Sequence, residues 1–424
     1  MDNFLDKIFF RSRNLDYISQ NLINLTNQTP TKRIFEAINT YSENSEVRYV
    51  GGGVRKIIKK EIVDDIDLAT NLKPSEVCDA LKKQDINYYE TGIEHGTITA
   101  IIDDYKYEIT SLRRDVSTDG RHAKVEFSSD WKEDAARRDF SINSIYSDKD
   151  GNLFDPYNGK KDLESGNINF IGDSENRIKE DYLRILRYVR FFLNYSNQSH
   201  DINIIKKIKK NIGGVSKLSS ERLLDEFKKL TRSNAFLKIF NDEISLELIE
   251  IIFPQLKNLQ SFKKLNSYAL ENLSKVDFIF LLSLLIIDGT DNTDYFFYKF
   301  NISKKDQKRL KSIDSFYKEN VSIKNFNEKN FNKILYYNGK QAVFDIINYK
   351  LFISPKVEKK LLKLIESYKD KVVPNLPIDA NTLMIKYNIP EGKTLGNKLK
   401  LIEETWVYNS FHISDKQIQK IIKS

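Results

Sequence analysis

Residues 47–70 constrain this chain more than any other stretch. A strand-like run (Val47, Tyr49, Val50) enters a glycine turn, Gly51-Gly52-Gly53, and a short basic segment then leads to Asp65-Ile66-Asp67. Successive side chains of a strand point to opposite faces. A strand over 65–68 would therefore set Asp65 and Asp67 on one face and turn Ile66 and Leu68 into the core. Two carboxylates on one face beside a glycine-rich turn suit a divalent metal carrying a triphosphate. Glycines admit phosphates close to the backbone, and the first amides of a following helix face the anion. Hard oxygen ligands favour Mg²⁺ over softer metals. Taken singly, a D-x-D or a GGG is commonplace; joined at this spacing and running into an apolar strand, they form a strong signal.

The chain has 424 residues, too many for one compact core, and two to four subdomains are expected. Lys and Arg number 68 against 60 Asp and Glu, and the net charge of +8 favours a polyanionic partner. A single cysteine, Cys78, excludes an internal disulfide framework and a Cys-based zinc cluster. The N-terminal MDNFLDKIFFRSRNLDY lacks the apolar core and cleavage site of a secretory signal. The longest apolar run, 278–287, is too short to span a bilayer and reads as a buried helix. A cytoplasmic location without membrane association is the expectation.

The first third alternates strand and helix signals. Residues 31–42 read as an amphipathic helix, with Ile34, Phe35, Ile38 and Tyr41 on one side and Pro30 at its start; 74–84 reads as another. Strands are expected at 48–50, 65–68, 96–102 and 105–112, the last two forming a hairpin around Asp103-Asp104. Residues 112–129, polar and basic, read as a mobile loop. From about residue 180 helical periodicity takes over and lysines crowd the exposed positions. The fold class is α+β: a head of mixed sheet and helices, then an all-helical remainder.

GGGVRK and DIDLAT resemble the first motif of the class II nucleotidyltransferases of the polymerase-β superfamily, the group containing the CCA-adding enzymes and the bacterial poly(A) polymerases. That motif reads GGxVRD and then a D-x-D ending in LAT; Lys56 stands where the family commonly has Asp. The resemblance implies a polymerase-β-like nucleotidyltransferase head (1–150), a helical neck that recognises the base (151–230), a helical body (231–330) and a helical tail that binds tRNA (331–424). It also implies a third carboxylate on an adjacent strand. HGTIT (95–99) and YEIT (107–110) are similar to the family's HGTVT and EVT, which points to Glu108. Asp65, Asp67 and Glu108 are thus the expected catalytic residues and holders of two Mg²⁺ ions, while His95 reads as a turn residue. DAARRDFSIN, with Asp134, Arg137, Arg138 and Asn143, is similar to the family's DxxRRDFTIN, which is associated with ribose and triphosphate. Planar guanidinium groups donate several hydrogen bonds to such oxygens. Gly51, Gly52 and Arg55 complete this part of the expected nucleotide site.

Residues 177–191 read as one helix. On it Asp181 and Arg184 share a face, as do Arg184 and Arg187, opposite a buried stripe of Leu183, Leu186 and Val189. By spacing alone this is a surface ion pair. EDYLR, however, resembles the family's EDxxR, its protein template for the incoming base. An Asp acceptor and an Arg donor match the Watson–Crick edges of cytosine and adenine and reject uracil and guanine. The segment SSERLLDE (219–226) resembles the family's neck-closing SxERxxxE. The implied reaction is template-independent addition of CCA to the 3′ end of tRNA from CTP and ATP, with release of pyrophosphate. Lysine-rich helices would grip the acceptor–TΨC arm through its phosphates, and no obligatory protein partner is implied. The chain has four histidines (His95, His122, His200 and His412) and no His–Asp dyad in the helical half, so a phosphohydrolase appendage is not expected. TGIEHGTITAI, in place of a GRRFRLxHV-like segment, favours the CCA-adding branch over poly(A) polymerase. Enzymes adding only CC or only A, a poly(A) polymerase and a non-catalytic RNA-binding protein are the alternatives.

Overall fold

The computed structural model describes residues 16–103, 105–118, 123–233, 235–319 and 326–423. The readings made at residues 1–15, at Asp104 and at His122 lie outside the described residues. The chain divides into two compact units, one ending at Phe227 and the other beginning at Lys228.

The first unit opens with helices α1 (Tyr17–Gln28) and α2 (Thr31–Asn39). Asp16 caps α1 by accepting the Ser19 amide at 2.8 Å, and Pro30 presets the entry to α2. There follow β1 (Val47–Val50), α3 (Gly52–Ile58), β2 (Asp67–Thr70), α4 (Pro74–Lys83), β3 (Asn87–Gly92), β4 (Thr97–Ile102) and β5 (Tyr105–Ser111). Strands β6 (Arg113–Thr118) and β7 (Ala123–Phe127) form a separate ribbon before α5 (Trp131–Arg137), β8 (Tyr146–Ser147) and β9 (Leu153–Phe154). The main sheet runs β3-β4-β5-β2-β1-β8-β9. Its central strand β2 is antiparallel to β1 and parallel to β5, a register that sets Asp67 opposite Val50 on one side and Glu108 on the other.

One sheet face carries Tyr49, Leu68, Ile98 and Ile109, packed with Leu22, Phe35, Ile38, Val77 and Leu81 from the helices. Tyr49 is fully buried, and its hydroxyl is satisfied by Thr26 at 2.9 Å and Thr31 at 2.8 Å, which pins α1 and α2 to β1.

Helices α6 (Gly159–Ser165), α7 (Ser174–Glu180), α8 (Leu183–Tyr195), α9 (Ile202–Asn211) and α10 (Ser220–Arg232) follow. Phe140 is wholly buried among Phe170, Tyr188 and Phe191, so α8 is fixed to the turn that follows α5.

Three expectations are corrected. The strand expected at 65–68 begins only at Asp67, because the chain leaving α3 is still turning, with Lys60 at φ +60°, and Asp65 and Ile66 precede the ladder. The loop expected over 112–129 contains the β6–β7 ribbon, in which Arg114 faces Glu126 across the strands at 2.6 Å. AKVEF alternates apolar with polar residues as a strand does, but RRDVST carries a single apolar residue, so the sequence does not announce the two as a hairpin. The single helix expected over 177–191 is broken at Asp181, whose backbone is extended (φ −152°, ψ 104°). The expected buried stripe on α8 is present: Leu183, Leu186 and Val189 are all buried.

The second unit is helical throughout its described residues. It comprises α11 (Glu243–Ile252), α12 (Ser267–Asn272), α13 (Phe278–Ile286), α14 (Asn292–Phe300), α15 (Lys304–Glu319), α16 (Glu328–Asn338), α17 (Lys340–Ile353), α18 (Lys359–Lys369), α19 (Ala380–Tyr387), α20 (Lys393–Tyr408) and α21 (Asp415–Lys423), with short 3₁₀ turns between some of them. The apolar run read from the sequence is α13, buried from Phe280 to Ile286. Arg309 locks α15 to α17 through two bonds to Asp345, at 2.6 and 2.9 Å. A cleft of about 920 Å³ lies along α15 and α16, lined by Lys304, Lys308, Lys311, Lys333 and Tyr337. No helix among the described residues is long and apolar enough to cross a membrane.

Candidate active site

The carboxylates come from the centre of the sheet. Asp67 opens β2 and is half-buried; Glu108, in register with it on β5, is exposed between the buried Tyr107 and Ile109. Asp65 is exposed in the approach to β2. Burial raises the Asp67 carboxyl to about 6, helped by the negative charges of Asp65 and then Glu108, while Arg138 and Arg55 pull the other way. Asp67 therefore feels both neighbouring acids more than the two arginines. Among the described residues no three His, Cys, Asp or Glu side chains are gathered tightly enough to hold a metal ion. An all-oxygen donor set with unneutralised charge fits a hard divalent cation.

Close packing explains the glycines of the turn. Gly51 has φ +68°, a conformation that side chains rarely adopt. At Gly53 a Cβ would lie 3.4 Å from the carbonyl oxygen of Asp65, so α3 and the approach to β2 pack backbone to backbone. The start of α3 also lies beside Asp67: a Cβ at Gly52 would be 4.0 Å from its Oδ2.

Next to the acids, Arg137, Arg138, Asp139, Asn143, Asp181, Arg184 and Arg187 line a single cleft of about 300 Å³. Six of the residues expected from the sequence to bind nucleotide are thus brought together from two segments, 137–143 and 181–187. Two others stand behind it. Asp134, on α5, is 1% exposed and accepts from Arg137 at 2.7 Å, from Arg138 at 3.2 Å and from the Tyr146 hydroxyl at 2.7 Å. Burial alone would raise its carboxyl; the Arg138 and Arg137 charges and the Tyr146 bond overcome this and hold it at about 2. Arg55 is buried, stacks over Phe191 (4.9 Å) and Tyr195 (5.2 Å), and donates to the Asn143 side-chain oxygen. Asn143 in turn donates to Asp139 at 2.7 Å, and Asp139 accepts from Arg187 at 2.6 Å. Burial works against the Asp139 charge, but Arg187 and Asn143 hold the carboxyl far below the usual range.

Asp181 and Arg184 do not share a helical face, and each is engaged by a different neighbour. One Asp181 oxygen accepts the Leu183 amide at 3.1 Å, and the other accepts from Arg222 of α10 at 2.7 Å. Arg184 donates to Glu180 and to the Arg177 carbonyl, both at 2.7 Å. Arg177 bridges Glu180 at 2.6 Å and also donates to the carbonyls of Arg137 and Arg138. Glu226, 2% exposed, pairs with Arg190 and, at 3.7 Å, with Arg187. Asp139, Arg177, Glu180, Arg222 and Glu226 were not among the residues expected to build the site. The signal for two of them was present: Arg222 and Glu226 stand four apart in SSERLLDE and so share a helical face.

The arrangement offers two surfaces, an acidic edge for a cation and a cleft of guanidinium groups with one carboxylate for a nucleotide. Residues 47–169 match the poly A polymerase head domain family, and residues 201–260 match the family described as the probable RNA and SrmB-binding site of polymerase A. The human mitochondrial CCA tRNA nucleotidyltransferase 1 is 31% identical over 398 residues, covering 90% of this chain and 87% of that enzyme. The CCA-adding enzyme of Lactobacillus johnsonii is 29% identical, covering 85% of this chain and 88% of its own length. Among solved structures, the Bacillus stearothermophilus CCA-adding enzyme in complex with CTP superposes with a TM-score of 0.73 at 18% identity, covering 92% of this chain and 95% of that one. The Thermotoga maritima CCA-adding enzyme complexed with tRNA gives 0.60 at 17% identity, covering 96% and 98%. With its mixed-sheet head, its helical remainder and these relatives along most of its length, the chain belongs to the CCA tRNA nucleotidyltransferase family.

Proposed function

We propose that this chain completes the 3′ end of tRNA by adding C, C and A from CTP and ATP, choosing each base with its own side chains and releasing pyrophosphate. The observation that carries the reading is the single cleft in which Asp181 and Arg184 sit with Arg137, Arg138 and Arg187. In this reading Asp181 accepts from the exocyclic amine of cytosine or adenine and Arg184 donates to the neighbouring ring position. Arg138 and Arg137, braced by Asp134, and Arg187, braced by Asp139 and Glu226, meet the triphosphate and the ribose. Arg55 and Asn143 fix the geometry of that set from beneath. Asp65, Asp67 and Glu108 would hold Mg²⁺, two ions in all. Bound there, they would activate the RNA 3′-hydroxyl and neutralise the leaving pyrophosphate. The lysine-lined cleft along α15 and α16 would take tRNA phosphates, which recognises shape rather than sequence. The cytoplasmic location expected from the sequence belongs to this proposal; the human and mouse relatives are named as mitochondrial.

The test is extension of a tRNA ending at the discriminator base, with Mg²⁺ and each nucleoside triphosphate alone, then with CTP and ATP together. Growth by CCA followed by a stop is the expected result. Arrest after CC, addition of A only to a CC end, or a long A ladder would each replace this reading, and no extension of any RNA would end it.

A further inference from the structure

Asp67 and Asp65 are held in place by different means. Asp67 lies in two ladders at once, opposite Val50 and opposite Glu108. Asp65 lies two residues before β2 and has no ladder, so its position depends on how the segment between α3 and β2 is tied down. The ties run to α3. Gly53 receives the Asp65 carbonyl, with Val63 packed beside it at 3.7 Å from where a Cβ would stand. The Lys56 carbonyl accepts the Glu61 amide at 2.8 Å, closing the turn in which Lys60 has φ +60°. The Lys56 ammonium then reaches the carboxylate of Asp64, the residue next to Asp65.

We infer that Lys56, through Asp64, is a positioning residue that sets where Asp65 stands relative to Asp67. The inference rests on the reading of Asp65 as a metal ligand. Charge explains the residue at this position. An Asp at 56, as in the motif this chain resembles, would set a second carboxylate against Asp64 and push the segment off α3; a lysine draws it in. The Lys56 side chain is 24% exposed and that of Asp64 71%, and pairs this open add little to global stability. The effect therefore falls on the placement of one short segment.

The experiment uses full-length K56A, D64A and the exchanged pair K56D/D64K, with D65A as reference. Mn²⁺ binding to nucleotide-free protein is followed by electron paramagnetic resonance, and amide exchange over 61–66 is followed in metal-free protein. K56A and D64A should each weaken Mn²⁺ binding about 10-fold and speed exchange over 61–66, at an unchanged melting temperature. The exchanged pair should recover most of the loss, because it rebuilds the tie with the charges reversed. Wild-type Mn²⁺ affinity in K56A and D64A, alongside lost binding in D65A, would overturn the role of Lys56. Unchanged Mn²⁺ affinity in D65A would instead overturn the metal assignment, and the inference with it.

Discussion

At the scale of single residues the nucleotide cleft is built from paired charges, while the acidic edge beside it is not. Asp134 has its ordinary value of 3.8 in the unfolded chain and about 2 in the fold. Its depressed value stabilises the fold fully above pH 3.8, and that contribution is lost as the pH falls through 2. The difference is worth ~2 kcal/mol at neutral pH. Asp134→Asn, which also strands part of the Arg137 and Arg138 charge, should destabilise by ~3 kcal/mol at pH 7, with the gap to wild type narrowing between pH 4 and 2 in acid unfolding curves. Arg184→Ala should act on choice rather than on fold. UTP incorporation relative to CTP should rise at least 10-fold while Mn²⁺ binding is kept, and unchanged selectivity would remove Arg184 from base reading. The residues that face the cleft were legible because RRDFSIN and EDYLR are continuous in sequence. The shared face of Arg222 and Glu226 was legible in SSERLLDE, but their partners were not, because an ion pair such as Asp181–Arg222, between positions 41 residues apart, leaves no local pattern.

At the scale of elements, the break between α7 and α8 matters most. A continuous helix would carry Asp181 on its flank; the extended backbone there instead lets Asp181 cap Leu183 and reach Arg222. The break is wedged by Tyr182, whose ring lies on Gly214: a Cβ at that glycine would fall 2.1 Å from the ring. Gly214→Ala must therefore displace Tyr182 and its neighbour Asp181. A loss of ~2 kcal/mol is expected, together with a raised KM for CTP and ATP. A variant with wild-type stability and KM would show that the wedge is dispensable. Helical periodicity was readable on both sides of the break, since apolar residues recur with the right spacing, but periodicity carries no mark for one extended residue. The β6–β7 ribbon escaped because its first strand, RRDVST, holds one apolar residue and so shows no period-2 pattern.

At the scale of the whole molecule, the change from alternating to helical patterns near residue 180 was plain, yet the first compact unit runs on to Phe227. Packing explains the difference: Phe140 buries itself against Tyr188 and Phe191, and composition cannot report which core a helix joins. The net charge of +8 gains a location in the lysine-lined cleft of the second unit. Lys308→Glu with Lys333→Glu should weaken tRNA binding and lower the slope of log affinity against log salt by ~1 per lost phosphate contact, leaving kcat at saturating tRNA unchanged. An unaltered slope would place the phosphates elsewhere.

The ion pairs behind the cleft also bear on how such a protein can evolve. Asp181 leans on Arg222, and Arg187 leans on Asp139 and Glu226. Replacing any one of these leaves a partly buried charge with one counter-ion fewer, at a cost of ~1–3 kcal/mol. A lineage drifting toward another base would have to change two distant positions almost together, passing through intermediates that fold poorly. The proposed preference for C and A would then be inherited as a block, held by ion pairs between side chains far apart in sequence.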